Sequence, residues 1–315
     1  MTLSRVALAV AVLFFVGAVA PHAAHAWTPG THIYLGQSVL DNLSFLPAAM
    51  ADLLRAFPYD YLYGNIAADS SIAKNYAPVS RHCHHWHVGQ EIHDRAGNDA
   101  LRAFGLGYLS HLAADAVAHN FFVPRQLALT SSTASVGHAY WESRFEAQLG
   151  EGYAGRAKEI IKLDHSASDG LLDQIISPTI FSVRTNRKLF RGMVHLTDTQ
   201  GWQVAFRVAR EQSRHDLSGT DVERHMAWSF DFILDMLTDR NMLARNLDPA
   251  GQEALGHAKD LTRGERRIDR LRPGSPLLER VEERFRLPDE PLVYWSEATQ
   301  HKPWNGTGSH REIAS

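Results

Sequence analysis

The sequence predicts an all-α fold, and three observations carry the prediction. Apolar residues recur at three- and four-residue intervals along almost the whole chain. No alternating β-branched run of useful length interrupts them, and no Asn-Gly hairpin links two such runs. With 44% hydrophobic and 21% charged residues over 315 positions, the chain can bury a sizeable core and is too apolar to stay disordered. The elements follow in order. Residues 32–57 read as helical with a break near Pro47, because proline lacks an amide donor and crowds the preceding turn. The same periodicity predicts helices over 94–120, 135–149, 153–163, 168–188, 194–212, 221–238 and 252–261. Residues 263–286 are dense in charge and read as a solvated helix or a linker. The tail from Gln300, with Gly306 and Gly308 and no periodicity, reads as flexible. The expected organisation is a short leader over 1–26, one helical domain over 27–262, and an extension over 263–315.

The leader carries its own signature. Arg5 precedes an unbroken apolar stretch over 6–20, followed by Pro21 and the small-residue pattern Ala24-His25-Ala26, which predicts a secretory signal peptide cleaved between Ala26 and Trp27. The apolar run is shorter than the ~20 residues that span a bilayer, and no later stretch is longer. The mature chain is therefore expected to be exported, secreted or periplasmic, without a transmembrane anchor, and to begin at Trp27 with a free amine. A formal charge of −3 and a pI near 6.6 offer no electrostatic footprint for a nucleic-acid backbone. The lone Cys83 excludes an internal disulfide and any four-thiolate metal site. A metal must be held mainly by nitrogen and oxygen.

Histidine is the informative residue. Eight of the 18 (His82, His84, His85, His87, His93, His111, His119 and His138) fall between positions 82 and 138. His111, Asp115 and His119 are four apart, so a helix rotates each by only ~40° relative to the last and all three share one edge. That edge is set among Leu112, Ala113, Ala116, Val117 and Ala118, and burying a carboxylate there is costly unless a cation compensates. The small alanines leave room for close packing around a metal. His138 and Glu142 form a second pair at i, i+4, 19 residues after His119, which suits a helix ending at Pro124, a loop through Ser131, Ser132 and Thr133, and an antiparallel return. Asp69 and the group around His82, His84, His85 and His87 supply further ligands, and His32 lies five residues from the expected amino terminus. Cys83 sits inside this cluster, as a rival ligand or a small packed thiol.

In order, these residues resemble the zinc-dependent phospholipase C family, whose trinuclear zinc scaffold is shared with the single-strand-specific fungal nucleases. The resemblance runs from Trp27 to Leu149 and implies an all-α domain built around up to three zinc ions. It assigns Asp69, His84, His111 and Asp115 to one zinc, with His82 and His85 as alternatives to His84. It assigns His119, His138 and Glu142 to a second, and the amine and carbonyl of Trp27 with His32 and the other Asp115 oxygen to a third. It also gives Asp69 the role of general base. Two departures are visible: Asp115 and His119 lie within one helical turn where the family has a longer, proline-containing loop, and Ser70 and Ser71 stand where it has a choline-holding aromatic. The implied activity is cleavage of a phospholipid at a membrane surface on the glycerol side of phosphate, with Tyr59, Tyr61, Tyr63, Trp86, Phe121 and Phe122 as candidate lipid contacts. Three zinc ions outweigh the three carboxylates and would attract a phosphodiester despite the acidic chain. No Gly-x-Ser-x-Gly elbow or Walker loop suggests other hydrolytic chemistry. A zinc nuclease or 3′-nucleotidase is the alternative use of the same metals, disfavoured by charge. A non-catalytic zinc-binding exported protein is the other, disfavoured because three ligands at Glu142 leave a position open.

Overall fold

A computed structural model describes residues 27–72, 76–130, 136–150, 152–197, 215–239, 243–262 and 275–294, with isolated positions between 199 and 213. The predicted leader, the loop at Ser131–Thr133 and the tail from Gln300 lie outside the described residues. Those described form helices and no strand, as the periodicity predicts. Helix α1 (Pro29–Asp41) starts where Pro29 fixes φ and the Thr28 side chain accepts the Thr31 N–H. The expected 32–57 stretch then divides, through a short 3-10 turn, into α1 and α2 (Ala48–Ala56).

Two helices were not expected. Helix α3 (Pro58–Ala67) is buried on all sides from Tyr61 onward, so it shows no polar face and no amphipathic stripe. Helix α4 (Trp86–Asp94) is short and begins inside the histidine group. The next, α5 (Asp99–Val117), begins later than position 94, where the Asn98 side chain caps it by accepting the Leu101 N–H at 2.9 Å. It does not stop at Pro124. A π-turn (Ala118–Phe122) carries it into α6 (Val123–Thr130), with Pro124 inside the helix.

The return helix α7 (Val136–Glu146) and α8 (Tyr153–Ile160) follow expectation. The predicted helix over 168–188 is two, α9 (Ser166–Ile175) and α10 (Val183–Thr197), separated around Pro178; Val194, the expected start of another helix, lies within α10. Helices α11 (Gly219–Thr238) and α12 (Gln252–Thr262) match their predicted spans within a few residues. Helix α13 (Pro276–Arg284) falls in the charge-rich segment, yet it buries Leu277 and Val281, with Phe285 beyond it, against Ala128, Ala254 and Ala258. Arg125 of α6 grips Glu282 of α13 with both carboxylate oxygens engaged.

The central strut is α5, buried from Ala103 to Val117 and packed on α3, α4 and α11. The α3–α5 contact is close because Gly64 and Gly107 face each other: a Cβ on Gly107 would lie 3.0 Å from the Gly64 Cα. That approach sets Asn65 and Asp69 beside His111 and Asp115. Tyr61, Tyr63 and Phe122, proposed above as lipid contacts, are instead buried core residues, whereas Tyr59, Trp86 and Phe121 are partly exposed. No helix among the described residues is long and apolar enough to cross a membrane.

Candidate metal centre

Helix α5 presents His111 and Asp115 on one buried edge, one turn apart, and the Asp115 carboxylate is the hub of the cluster. His84 Nε2 lies 3.0 Å and His111 Nε2 3.1 Å from Asp115 Oδ2, while His32 Nε2 lies 3.2 Å from Asp115 Oδ1. Asp69, in the 3-10 turn after α3, places Oδ1 3.3 Å from His84 Nε2 and 4.0 Å from His111 Nε2. The His32 and His111 rings stack at 3.9 Å. All five residues are buried. Two ligand sets result, Asp69 with His84 and His111, and His32 with His111 and Asp115, each with its donor atoms within 4.8 Å of one another.

Hydrogen bonds behind the cluster fix which nitrogen each ring offers. A carbonyl can only accept, so the 2.9 Å contact of His111 Nδ1 with the Asn65 carbonyl puts the proton on Nδ1 and leaves the Nε2 lone pair facing the carboxylates. His84 turns Nδ1 to Cys83 Sγ at 3.1 Å and Nε2 inward. Tyr108 of α5 anchors that loop by donating to the Cys83 carbonyl at 2.7 Å.

The charges agree with a cation site. Burial alone would push the Asp115 carboxyl up, but His111, His32 and His84 together hold it well below the usual carboxylate range. Burial, reinforced by His111, pushes His32 down to about 4 against the pull of Asp115, so its imidazole is neutral at pH 7 and able to ligate. Neither nitrogen of His32 and neither oxygen of Asp115 is aligned for a hydrogen bond within the protein, although they face each other at contact distance. Buried lone pairs aimed at one point suit a divalent metal, and an all-nitrogen-and-oxygen donor set fits zinc.

The remaining expected ligands lie beside this cluster. His138 Nε2 is 2.8 Å from Glu142 Oε1 on α7, and the His138 and His119 rings are 5.2 Å apart. His119 Nδ1 donates to the Pro249 carbonyl at 2.5 Å and lies 4.0 Å from Asp115 Oδ2, so Nε2 is its lone-pair nitrogen. Trp27 is buried, donates Nε1–H to the Ala114 carbonyl at 3.1 Å, and packs on Phe122 and Phe145. Of the alternatives to His84, His82 uses Nδ1 to accept the His84 N–H, and His85 sits at the start of α4. His82, Cys83 and His84 still form a third compact donor set.

Sequence reasoning missed the supports. Asn65, Tyr108 and the 248–251 loop orient ligands without resembling ligands, and the loop is distant in the chain. Its Gly251, at φ +59°, lies against the π-turn, where a Cβ would meet the His119 backbone. An Asp-Pro-Ala-Gly turn signal was legible there, but its destination was not.

Searches of curated proteins and of solved structures gave no match. A model of the family described as zinc dependent phospholipase C matches residues 31–181, a span that holds every clustered ligand from His32 to Glu142. Over residues 31–181 the chain is similar to the zinc-dependent phospholipase C family, and the match supports assigning that segment to it.

Proposed function

We propose that the chain is an exported zinc phosphodiesterase that cleaves glycerophospholipids as a phospholipase C, releasing diacylglycerol and a phosphorylated head group. The observation that carries this reading is the buried convergence of Asp69, His84, His111 and Asp115 within the matched span. Those four would hold one zinc; His119, His138 and Glu142 a second; His32 and Asp115, with the Trp27 amine freed by cleavage after Ala26, a third. Zinc bound there supplies Lewis acidity at the phosphoryl group, the chemistry that suits in-line displacement at phosphorus.

The chain's own residues do the rest. Asn65 and Pro249 keep His111 and His119 in the tautomers that offer Nε2. Asp115 faces three imidazoles with its two oxygens, so that a cation between them would be met from both sides. Asp69, with Oδ1 3.3 Å from His84 Nε2, is the carboxylate that would orient water and accept its proton, as general base. Burial of the cluster excludes bulk solvent and strengthens each of these interactions.

The test is to recover the exported form beginning at Trp27. Zinc per chain is then measured beside release of phosphocholine, phosphoethanolamine and 3′-phosphate products. Two or three zinc ions with a phosphorylated head group as product are expected. Less than one zinc, or no diester cleavage at full loading, would overturn the proposal, and 3′-phosphate release would transfer the site to nucleotides.

A further inference from the structure

The loop over 176–182 and helix α10 display large apolar side chains to solvent. Ile180 is 60% exposed, Phe181 43% and Leu189 42%, and Val79 on the neighbouring 3-10 turn is 69% exposed. These positions are held there by the backbone. Thr179 Oγ1–H donates to the Ile72 carbonyl at 2.6 Å, the Ser177 N–H to the Arg81 carbonyl at 3.3 Å, and Arg81 to the Ile175 carbonyl at 2.9 Å. Asn186 Nδ2 donates to Thr179 Oγ1 at 3.0 Å, and the Ser182 hydroxyl caps α10. The two segments therefore form one patch.

The patch is also charged in one sense. Helix α10 contains Arg184, Arg187, Lys188 and Arg191 and no acidic residue, in a chain whose net charge is −3. Arg187 and Arg191 turn inward to Asp169 and Asp173 of α9, which leaves Arg184 and Lys188 on the exposed face beside Leu189. Arg184 reaches Asp173 at 3.2 Å, yet its side chain is 81% exposed. Exposed basic side chains of the helix beside exposed apolar ones on it, on the preceding loop and on the neighbouring 3-10 turn make a surface that can lie on anionic lipid.

Position ties the patch to the metal centre. Ile72 is three residues after Asp69, and Arg81 three before His84, so the chain runs from the patch into both ligands. Helix α10 also packs on the turn over Ala68–Ser70.

We infer that Val79, Ile180, Phe181 and Leu189, with Arg184 and Lys188, dock the protein onto an anionic phospholipid bilayer next to its metal centre. The inference rests on the proposed phospholipase reading but concerns binding, which is measured apart from turnover.

The zinc-loaded exported protein is sedimented with vesicles of phosphatidylcholine alone or mixed with phosphatidylglycerol, and hydrolysis of vesicles is compared with that of a water-soluble short-chain phosphodiester. Wild type should prefer the anionic vesicles and lose that preference in high salt. Ile180→Glu with Phe181→Glu should lower partitioning and vesicle hydrolysis at least about tenfold while leaving the soluble diester rate unchanged. Arg184→Glu with Lys188→Glu should remove the preference for phosphatidylglycerol. Unchanged vesicle binding in the first pair overturns the docking face, and an unchanged lipid preference in the second overturns the anionic surface. If the substitutions instead convert a dimer to a monomer with vesicle binding intact, the face joins copies of the chain and the inference falls. Loss of vesicle binding in a protein that hydrolyses neither substrate supports the docking face and rejects the phospholipase reading.

Discussion

Gly107→Ala tests whether the metal centre depends on the α3–α5 crossing. The added Cβ would enter the van der Waals shell of the Tyr61 carbonyl oxygen, 2.9 Å from the carbonyl carbon and 3.0 Å from the Gly64 Cα. Carbon atoms rest at ~3.5–4.0 Å, and every one of these neighbours is backbone, so no rotamer absorbs the overlap. The carbonyl oxygen is the nearest contact, so the helices must separate by about 1 Å or more, an overpacking that costs about 1–3 kcal/mol. For a chain of this size that lowers Tm by about 2–6 °C. The displacement falls between Asp69 and His111, whose donor atoms are already 4.0 Å apart, and metal–ligand distances tolerate only about 0.2 Å. Zinc affinity should fall about 10–100-fold, the usual effect of disturbing a ligand's support. Gly256→Ala is the matched control: it lies in α12 with nothing within 4 Å of its would-be Cβ, and should stabilise by about 0.5–1 kcal/mol. Thermal unfolding and competition against a chromophoric zinc chelator read both effects. Unchanged Tm and unchanged zinc affinity in Gly107→Ala would refute the argument; a lower Tm with unchanged affinity would show that the ligands do not depend on the crossing.

Removal of zinc by chelation should destabilise the fold, by about 4 kcal/mol when free zinc had stood a thousandfold above its Kd; calorimetry with and without chelator checks it, and an unchanged Tm would contradict a buried metal. Asp115→Asn should cost at least one zinc per chain, because Asp115 faces His32, His84 and His111 at once; metal analysis decides. His225, buried against Phe122 with Nδ1–H donating to the Asp221 carbonyl, is pushed by burial to about 4. Between pH 6.5 and about 4 the unfolded chain binds a proton there that the native chain refuses, so stability falls with pH through that window by up to about 3 kcal/mol. His225→Asn should flatten that part of the pH–stability curve, and an unchanged slope would refute the assignment.

How much of this was legible follows from what periodicity reports. Helices with a wet face, such as α8 and α12, were visible because burial writes a stripe into the sequence. Helix α3 was invisible because its ten residues, surrounded by core from Tyr61 to Ala67, carry neither a stripe nor the length that made α5 and α11 legible. The charge of 263–286 hid α13, since Leu277 and Val281 suffice to dock one face while the rest stays polar. The ligands were legible because a His or Asp on an apolar helix is costly, which makes each an anomaly. Asn65 and Pro249 act through backbone carbonyls, which every residue carries, so no side-chain pattern marks them.

Pro124 shows why a local rule mispredicts at such a site. It lacks an N–H, and its ring cannot sit against the residue-120 carbonyl in a regular α-helix, so it reads as a helix end. The chain instead widens one turn: the Val123 N–H reaches back five residues to the Ala118 carbonyl, and the helix continues. Asn120 stabilises the widened turn, its side chain donating to the Ala116 and Asp248 carbonyls, both at 2.8 Å. The consequence reaches the ligands. His111, Asp115 and His119 share an edge in an ideal helix, yet the π-turn begins at Ala118 and carries His119 out of the row. Its Nδ1 is engaged by Pro249 and its ring sits beside His138, while His111 stays on Asp115 at 3.1 Å. One wide turn thus divides a single ligand row between two neighbouring groups, and the 248–251 loop, remote in sequence, sets the orientation of the second.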